Sequence, residues 1–133
     1  MADEQRMQIG EVADRTGLSL RTIRHYEEVG LVIPSARTKG GFRLYTAADV
    51  DRLMVIRRMK PLDFSLEEMR DLLSVTDRLS ADEPLEEAER KRLRERLDTY
   101  RKVADARCET LRAQLMAAED FAATLRRRLG PQG

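Results

Sequence analysis

Ile9-Gly10-Glu11-Val12-Ala13-Asp14-Arg15-Thr16-Gly17-Leu18-Ser19-Leu20-Arg21-Thr22-Ile23-Arg24-His25-Tyr26-Glu27-Glu28-Val29-Gly30 decides how this chain folds. Ile9, Val12 and Ala13 fall on one face of a helix. Gly17 offers the left-handed conformation that ends it, and Leu18 follows as a buried turn residue. Ser19 is placed to cap a second helix, Leu20 to Val29, by accepting a backbone N–H of its first turn. Gly30 closes that helix. Two short helices joined by a tight glycine-containing turn make a helix-turn-helix.

Outward from this unit, Leu31-Val32-Ile33-Pro34, the polar stretch Ser35–Lys39, Gly40-Gly41 and Phe42-Arg43-Leu44-Tyr45 read as a β-hairpin, or wing. Thr46 and Asp49 form a capping box opening a third helix through Lys60, with Val50, Leu53, Met54 and the stem of Arg57 inward. Pro61 stops it. Ser65 and Glu68 cap a fourth helix whose inner face is Leu66, Met69, Leu72 and Leu73. Residues 1–8 read as a polar lead-in and Asp77 to Pro84 as a polar linker.

Beyond Pro84 the composition changes. Residues 85–129 contain no Gly and no Pro. Leu93, Leu97, Tyr100, Ala104, Cys108, Leu111, Leu115, Ala118, Ala122, Leu125 and Leu129 recur at steps of three and four, an a/d seam with one stutter across Tyr100–Ala104–Cys108. A helix of about 45 residues would be roughly 67 Å long. A domain of about 75 residues cannot cover it, so the seam calls for another chain; a helix folded back on itself as a hairpin is the alternative, and no Gly, Pro or Asn cluster supports such a break. The expected divisions are a winged helix-turn-helix domain at 1–76, a linker at 77–84, a dimerisation helix at 85–129 and a tail at 130–133.

The chain has 133 residues, 37% of them charged and only 5% aromatic, with a formal net charge of +1. The overall charge says nothing of nucleic acid, but its distribution does. Residues 21–60 carry nine basic side chains (Arg21, Arg24, Arg37, Lys39, Arg43, Arg52, Arg57, Arg58, Lys60) against four acids (Glu27, Glu28, Asp49, Asp51). Cations on a helix after a turn and on a glycine hairpin suit phosphate neutralisation. A single cysteine, Cys108, excludes an internal disulfide and any thiolate metal cluster within one chain. In the seam it reads as a small apolar residue, with redox pairing across a dimer as the other reading. No apolar run approaches a membrane span and the N-terminus is not a signal peptide, which makes the cytoplasm the default compartment. No nucleophile–base set or phosphate loop points to an enzyme, and no cofactor or metal is expected.

The run from Ile9 to Ser19, then Thr22-Ile23-Arg24-His25-Tyr26-Glu27, Gly30-Leu31-Val32-Ile33-Pro34, Gly41-Phe42-Arg43-Leu44-Tyr45, Asp49-Val50 and Phe64-Ser65-Leu66-Glu67-Glu68-Met69 resembles the MerR family of bacterial transcription regulators. The resemblance covers about residues 8–75. It implies a mainly α, winged helix-turn-helix fold and a homodimer joined by an antiparallel coiled coil. It also implies double-stranded DNA as partner, with RNA polymerase at the promoter. The operator would be a near-palindrome, and the protein would bend and untwist an over-long promoter spacer. An architectural DNA binder or a repressor without such distortion is the alternative, and a coiled-coil adaptor that does not touch DNA is a more distant one.

Residue by residue, the resemblance assigns Arg24 to the groove and Arg37 and Arg43 to wing phosphates; Arg21, one helical step of three before Arg24, can face the groove with it. Tyr26 and Tyr45 match family tyrosines that pack, with hydroxyls available to phosphate. Thr22 and Lys39 complete the candidate set. Two departures stand out. His25, the chain's single histidine, replaces a common aromatic and either donates to phosphate or packs. Asp63 replaces a glycine common in the second wing. Metal-sensing relatives carry a cysteine at the start of the long helix and paired cysteines after it; here the corresponding stretches are Pro84-Leu85-Glu86-Glu87-Ala88 and Gly130-Pro131-Gln132-Gly133. No effector is assigned.

Overall fold

The structure, a computed structural model, describes residues 6–34 and 36–131. Residues 1–5 of the polar lead-in, Ser35 of the hairpin and Gln132–Gly133 of the tail lie outside the described residues. The chain divides into two units, Met1–Asp77 and Arg78–Gly133.

In the first unit, β1 (Met7–Gln8) leads directly into α1 (Ile9–Thr16), followed by α2 (Leu20–Glu28). Val12 and Thr16 are the buried side chains of α1. The Thr16 hydroxyl donates to the Val12 carbonyl at 2.8 Å and accepts from the Leu18 N–H at 3.2 Å, which pins the turn. Gly17 takes the expected left-handed conformation, φ 73°, and its N–H bonds Ala13 O. The Arg57 guanidinium lies against Gly17, about van der Waals distance from where a β-carbon would stand. That puts a cation at the negative end of α1. Ser19 caps α2 as expected, its hydroxyl accepting from Thr22 N at 3.1 Å.

The wing departs from the expected pairing. Leu31 and Val32 are core residues, fully buried, and their N–H groups turn back to the Tyr26 carbonyl. The first wing strand is β2 (Ala36–Arg37), paired antiparallel with β3 (Arg43–Tyr45), Ala36 opposite Leu44 and Arg37 opposite Arg43. Thr38 N–H donates to Phe42 O, and Gly41 N–H donates to Thr38 O with Gly41 at φ 84°, so Thr38–Gly41 is the turn. The lead-in is not wholly irregular either. Met7 pairs with Tyr45 and Gln8 with Leu44, giving a three-stranded sheet in the order β1-β3-β2. A two-residue strand is too short for alternation to show in sequence; it exists because β3 offers it a free edge.

The Thr46–Asp49 capping box opens α3 (Ala47–Met59), then a 3-10 turn at Lys60–Leu62 and α4 (Leu66–Ser80), whose Ser65–Glu68 box is also formed. The buried positions of α3 are Leu53, Ile56 and Met59, and those of α4 are Met69, Leu73 and Val75. Val50, Met54 and Leu72 are half-buried, while Leu66 and Arg57 are exposed. Asp63 adopts the left-handed region, φ 62° and ψ 34°, the one non-glycine among the described residues to do so. Its N–H bonds Lys60 O.

The stretch read as a linker from Asp77 begins as helix. Thr76–Ser80 contains no breaker, and Asp77 is held by Arg52, whose Nη1 lies 2.8 and 2.9 Å from the two carboxylate oxygens. The same arginine donates through Nε to Leu31 O at 2.6 Å, and Arg70 of α4 donates to Val29 O. Two cations thus satisfy carbonyls just past the C-terminal end of α2, where a helix leaves acceptors unpaired.

The second unit is dominated by α5 (Glu87–Leu129), 43 residues without interruption. Arg101 bridges Asp98 and Asp105 at 2.7 and 2.8 Å, one helical turn either way. The Asp98 carboxyl is held below the usual range by the Arg101 hydrogen bond.

Two glycines, Gly10 within α1 and Gly17 at its C-cap, should respond oppositely to the same substitution. Gly10 is helical with nothing within 4 Å of an added β-carbon, so Gly10→Ala should stabilise by about 0.5–1 kcal/mol. Gly17→Ala meets no steric block but forces a β-carbon into the left-handed region, and should destabilise by about 1–2 kcal/mol. Urea unfolding followed by circular dichroism checks both. Equal effects of one sign would show that the turn does not need its left-handed residue.

Candidate nucleic-acid interface

α2 has two unlike faces. Ile23 and Tyr26 are buried in the first unit, and the Glu27 side chain beside them is only 7% exposed. Arg21, Arg24, His25 and Glu28 are exposed on the other side. Thr22 is half-buried, its hydroxyl accepting from Ser19. The His25 ring stands 5.8 Å from the Tyr26 ring at a 46° tilt. Of the helix residues singled out in the sequence, Arg21, Arg24 and His25 therefore face solvent together, while Tyr26 packs.

On the wing, Arg37 and Lys39 are exposed, and Arg37 steadies the turn by donating to Gly41 O at 3.3 Å. Phe42 is also exposed. Tyr45 is fully buried and its hydroxyl donates to Glu27 Oε1. In this structure it faces the protein, not a phosphate. Arg43 is 39% exposed, and its Nε lies 3.0 Å from Glu27 Oε2. This contact is an ion pair without hydrogen-bond geometry, since Oε2 has no hydrogen-bond donor among the described residues.

Glu27 was absent from the sequence-derived set, where it counted only as an acid opposing the basic cluster. Its spacing of four from Ile23 puts it on the buried face of α2. An acid on an apolar face was the available signal, because buried carboxylates are kept only with partners. Likewise Arg52, counted among the nine cations, is engaged by Asp77. Of the nine, Arg21, Arg24, Arg37, Lys39, Arg57, Arg58 and Lys60 remain exposed, with the outer part of Arg43, and of these Arg21, Arg24, Arg37, Lys39 and Arg43 lie on α2 and the wing.

Among the described residues no group of three or more His, Cys, Asp or Glu side chains could hold a metal, and no helix is long and apolar enough to cross a membrane. On α5, Leu93 is buried and Leu97, Tyr100, Ala104, Cys108 and Ala122 are half-buried. Ala118 is exposed, as are Leu111, Leu115, Leu125 and Leu129, the last at 74%. Two further apolar residues off the seam, Met116 and Phe121, are exposed as well.

Burial raises the Tyr45 phenol pKa above its ordinary value near 10, and the hydrogen bond to Glu27 and that residue's charge push the same way, against Arg43. A group whose pKa is raised on folding lends stability that is complete below its unfolded pKa and is lost as pH climbs through the folded one. Tyr45→Phe should cost about 1–3 kcal/mol at pH 7, where a buried carboxylate loses its donor. That gap between wild type and variant should narrow by about 1 kcal/mol between pH 9 and pH 11. A gap that stays constant over this range contradicts the buried phenol.

A family model described as MerR HTH family regulatory protein matches residues 7–75, and one described as MerR, DNA binding matches residues 50–128. The mercuric resistance operon regulatory protein of Bacillus cereus is 47% identical over 73 residues, which is 55% of this chain and 55% of that one. The chain spans about half the length of the curated relatives it matches. Among solved structures, the transcription regulator PbrR691 from Ralstonia metallidurans CH34, in complex with lead(II), is 35% identical. The match covers 91% of this chain and 86% of that one, with a TM-score of 0.55. A MerR family regulator lacking the sensor domain, bound to promoter DNA, shares the fold with a TM-score of 0.69 at 22% identity, over 87% of this chain and 80% of that one. With the first model spanning more than half of its length, the chain belongs to the MerR family of helix-turn-helix regulatory proteins.

Proposed function

We propose that the protein is a sequence-specific DNA-binding transcriptional regulator that works as a homodimer on a near-palindromic promoter operator. The observation that carries this reading is the outward face of α2, where Arg21, Arg24 and His25 stand together over a buried face fixed by Ile23 and Tyr26. A helix so presented fits a major groove, where an arginine fork reads guanine O6 and N7. Arg37 and Lys39, on a hairpin, suit the flanking backbone, where contacts set register without reading sequence. The exposed leucines of α5 support pairing with a second copy, since an apolar stripe of that length is not left in water. Two equivalent recognition helices then require two equivalent half-sites.

One relative's name records an operon that it regulates, and the same place of action, with RNA polymerase as neighbour and the cytoplasm as compartment, belongs to this proposal. Distortion of the promoter spacer supplies the activating step: contacts at both half-sites offset the cost of bending and untwisting the DNA between them. The relatives' metals are not carried over. One cysteine per chain offers no thiolate pair within a subunit.

The test begins with selection of duplexes from a random library by the full chain. A two-fold sequence should be enriched, and affinity for it should fall by roughly 10³–10⁵ between 50 and 200 mM salt if six to ten phosphates are engaged. Failure to enrich any sequence would sink the reading. On the selected duplex, Arg24→Ala should lose about 1–3 kcal/mol more than on a scrambled one. Arg37→Ala should weaken both alike and lower the salt slope by about one. If Arg24→Ala weakens both equally, its contact is to backbone only.

A further inference from the structure

We propose that Glu27 is a positioning residue that presents Arg43 to a DNA phosphate, holding the guanidinium by its Nε edge so that the outer Nη1–Nη2 edge faces the DNA; this rests on the DNA-binding reading above. Three observations converge on it. Glu27 is the buried partner, 7% exposed, and Arg43 the half-exposed one, 39%. Both carboxylate oxygens are directed at wing residues, Oε1 receiving the Tyr45 hydroxyl and Oε2 facing Arg43 Nε. Among the described residues the Arg43 side chain donates no hydrogen bond, and Glu27 is its ion-pair partner.

A guanidinium is a planar fork, and engaging one edge leaves the other free for a two-point contact with phosphate oxygens. Left alone, a long arginine side chain samples many rotamers, and binding would have to order it. The buried carboxylate removes that cost beforehand, as outer-layer carboxylates do for metal-binding histidines. Because Glu27 belongs to α2 and Arg43 and Tyr45 to β3, the same contact fixes the distance between the groove-facing helix and the wing. The Tyr45 hydroxyl is then a positioning group for the carboxylate.

The sign of one substitution separates this from a plain charge effect. If Glu27 acted only as a negative charge near DNA, Glu27→Gln would tighten binding to every sequence. If it positions Arg43, Glu27→Gln should weaken binding to the duplex selected by the wild type by about tenfold near 0.1 M salt and lower the salt slope by about one. In an Arg43→Ala background, Glu27→Gln should then have no further effect, because residues acting through one contact do not add. Arg43→Lys keeps the charge, and with it most of the salt slope, but has no second edge to offer while Glu27 holds it, so it should lose the same tenfold in affinity; this variant carries the test if Glu27→Gln does not keep its helicity. Tighter binding by Glu27→Gln, additive losses in the double variant, or a wild-type affinity in Arg43→Lys each overturn the proposal. A wild-type chain that shows no salt-dependent binding overturns the DNA-binding reading itself, and this inference with it.

Discussion

A carboxylate taken out of water between α2 and the wing is the contact on which the geometry of the first unit rests. Glu27 would be costly there without partners, by several kcal/mol. Tyr45 and Arg43 meet that cost from a neighbouring strand 16 to 18 residues away in sequence. The consequence is that α2 cannot roll without breaking contacts to β3. Its apolar side, Ile23 and Tyr26, locks the same rotation from within. At the far end of the helix, Arg52 and Arg70 hold the carbonyls of Leu31 and Val29. A short helix of nine residues has little stability alone. It is made rigid by what surrounds it, and a rigid helix loses less entropy on binding, as the proposed contact with DNA requires.

What sequence could and could not show follows the range of each interaction. The caps at Ser19, Thr46–Asp49 and Ser65–Glu68 and the left-handed Gly17 are local chemistry within three or four residues, and all are formed where the pattern put them. The strand Met7–Gln8 has no local signal and exists through pairing with Tyr45 and Leu44. Leu31-Val32 looked like strand because apolar runs do not say which partner they bury against. Ile56, Met59 and Val75 were missed because the inner face of a helix packed on several sides is broader than one stripe.

The candidate site divided in the same way. Arg21, Arg24, His25, Arg37 and Lys39 are exposed, where local position on helix and hairpin put them. Arg52 and Glu27 carry charges whose roles depend on partners 25 and 18 residues away, Asp77 and Tyr45, so counting charges misread both. Asp63 shows a further limit. Its left-handed φ is compatible with an aspartate, and the residue type alone did not say whether the backbone would take it.

The second unit contributes a different constraint. Its long helix carries leucines at seam spacing that the single chain leaves exposed from Leu111 onward. In the proposed homodimer such a stripe is covered by a second helix of the same kind, and the pairing brings two copies of α2 to one DNA. Sedimentation of the full chain with the duplex it selects tests this most directly. Two chains on each duplex, on a two-fold site and not on a scrambled one, is the predicted result. One chain per duplex, or a complex that forms equally on any sequence, would contradict recognition by paired helices.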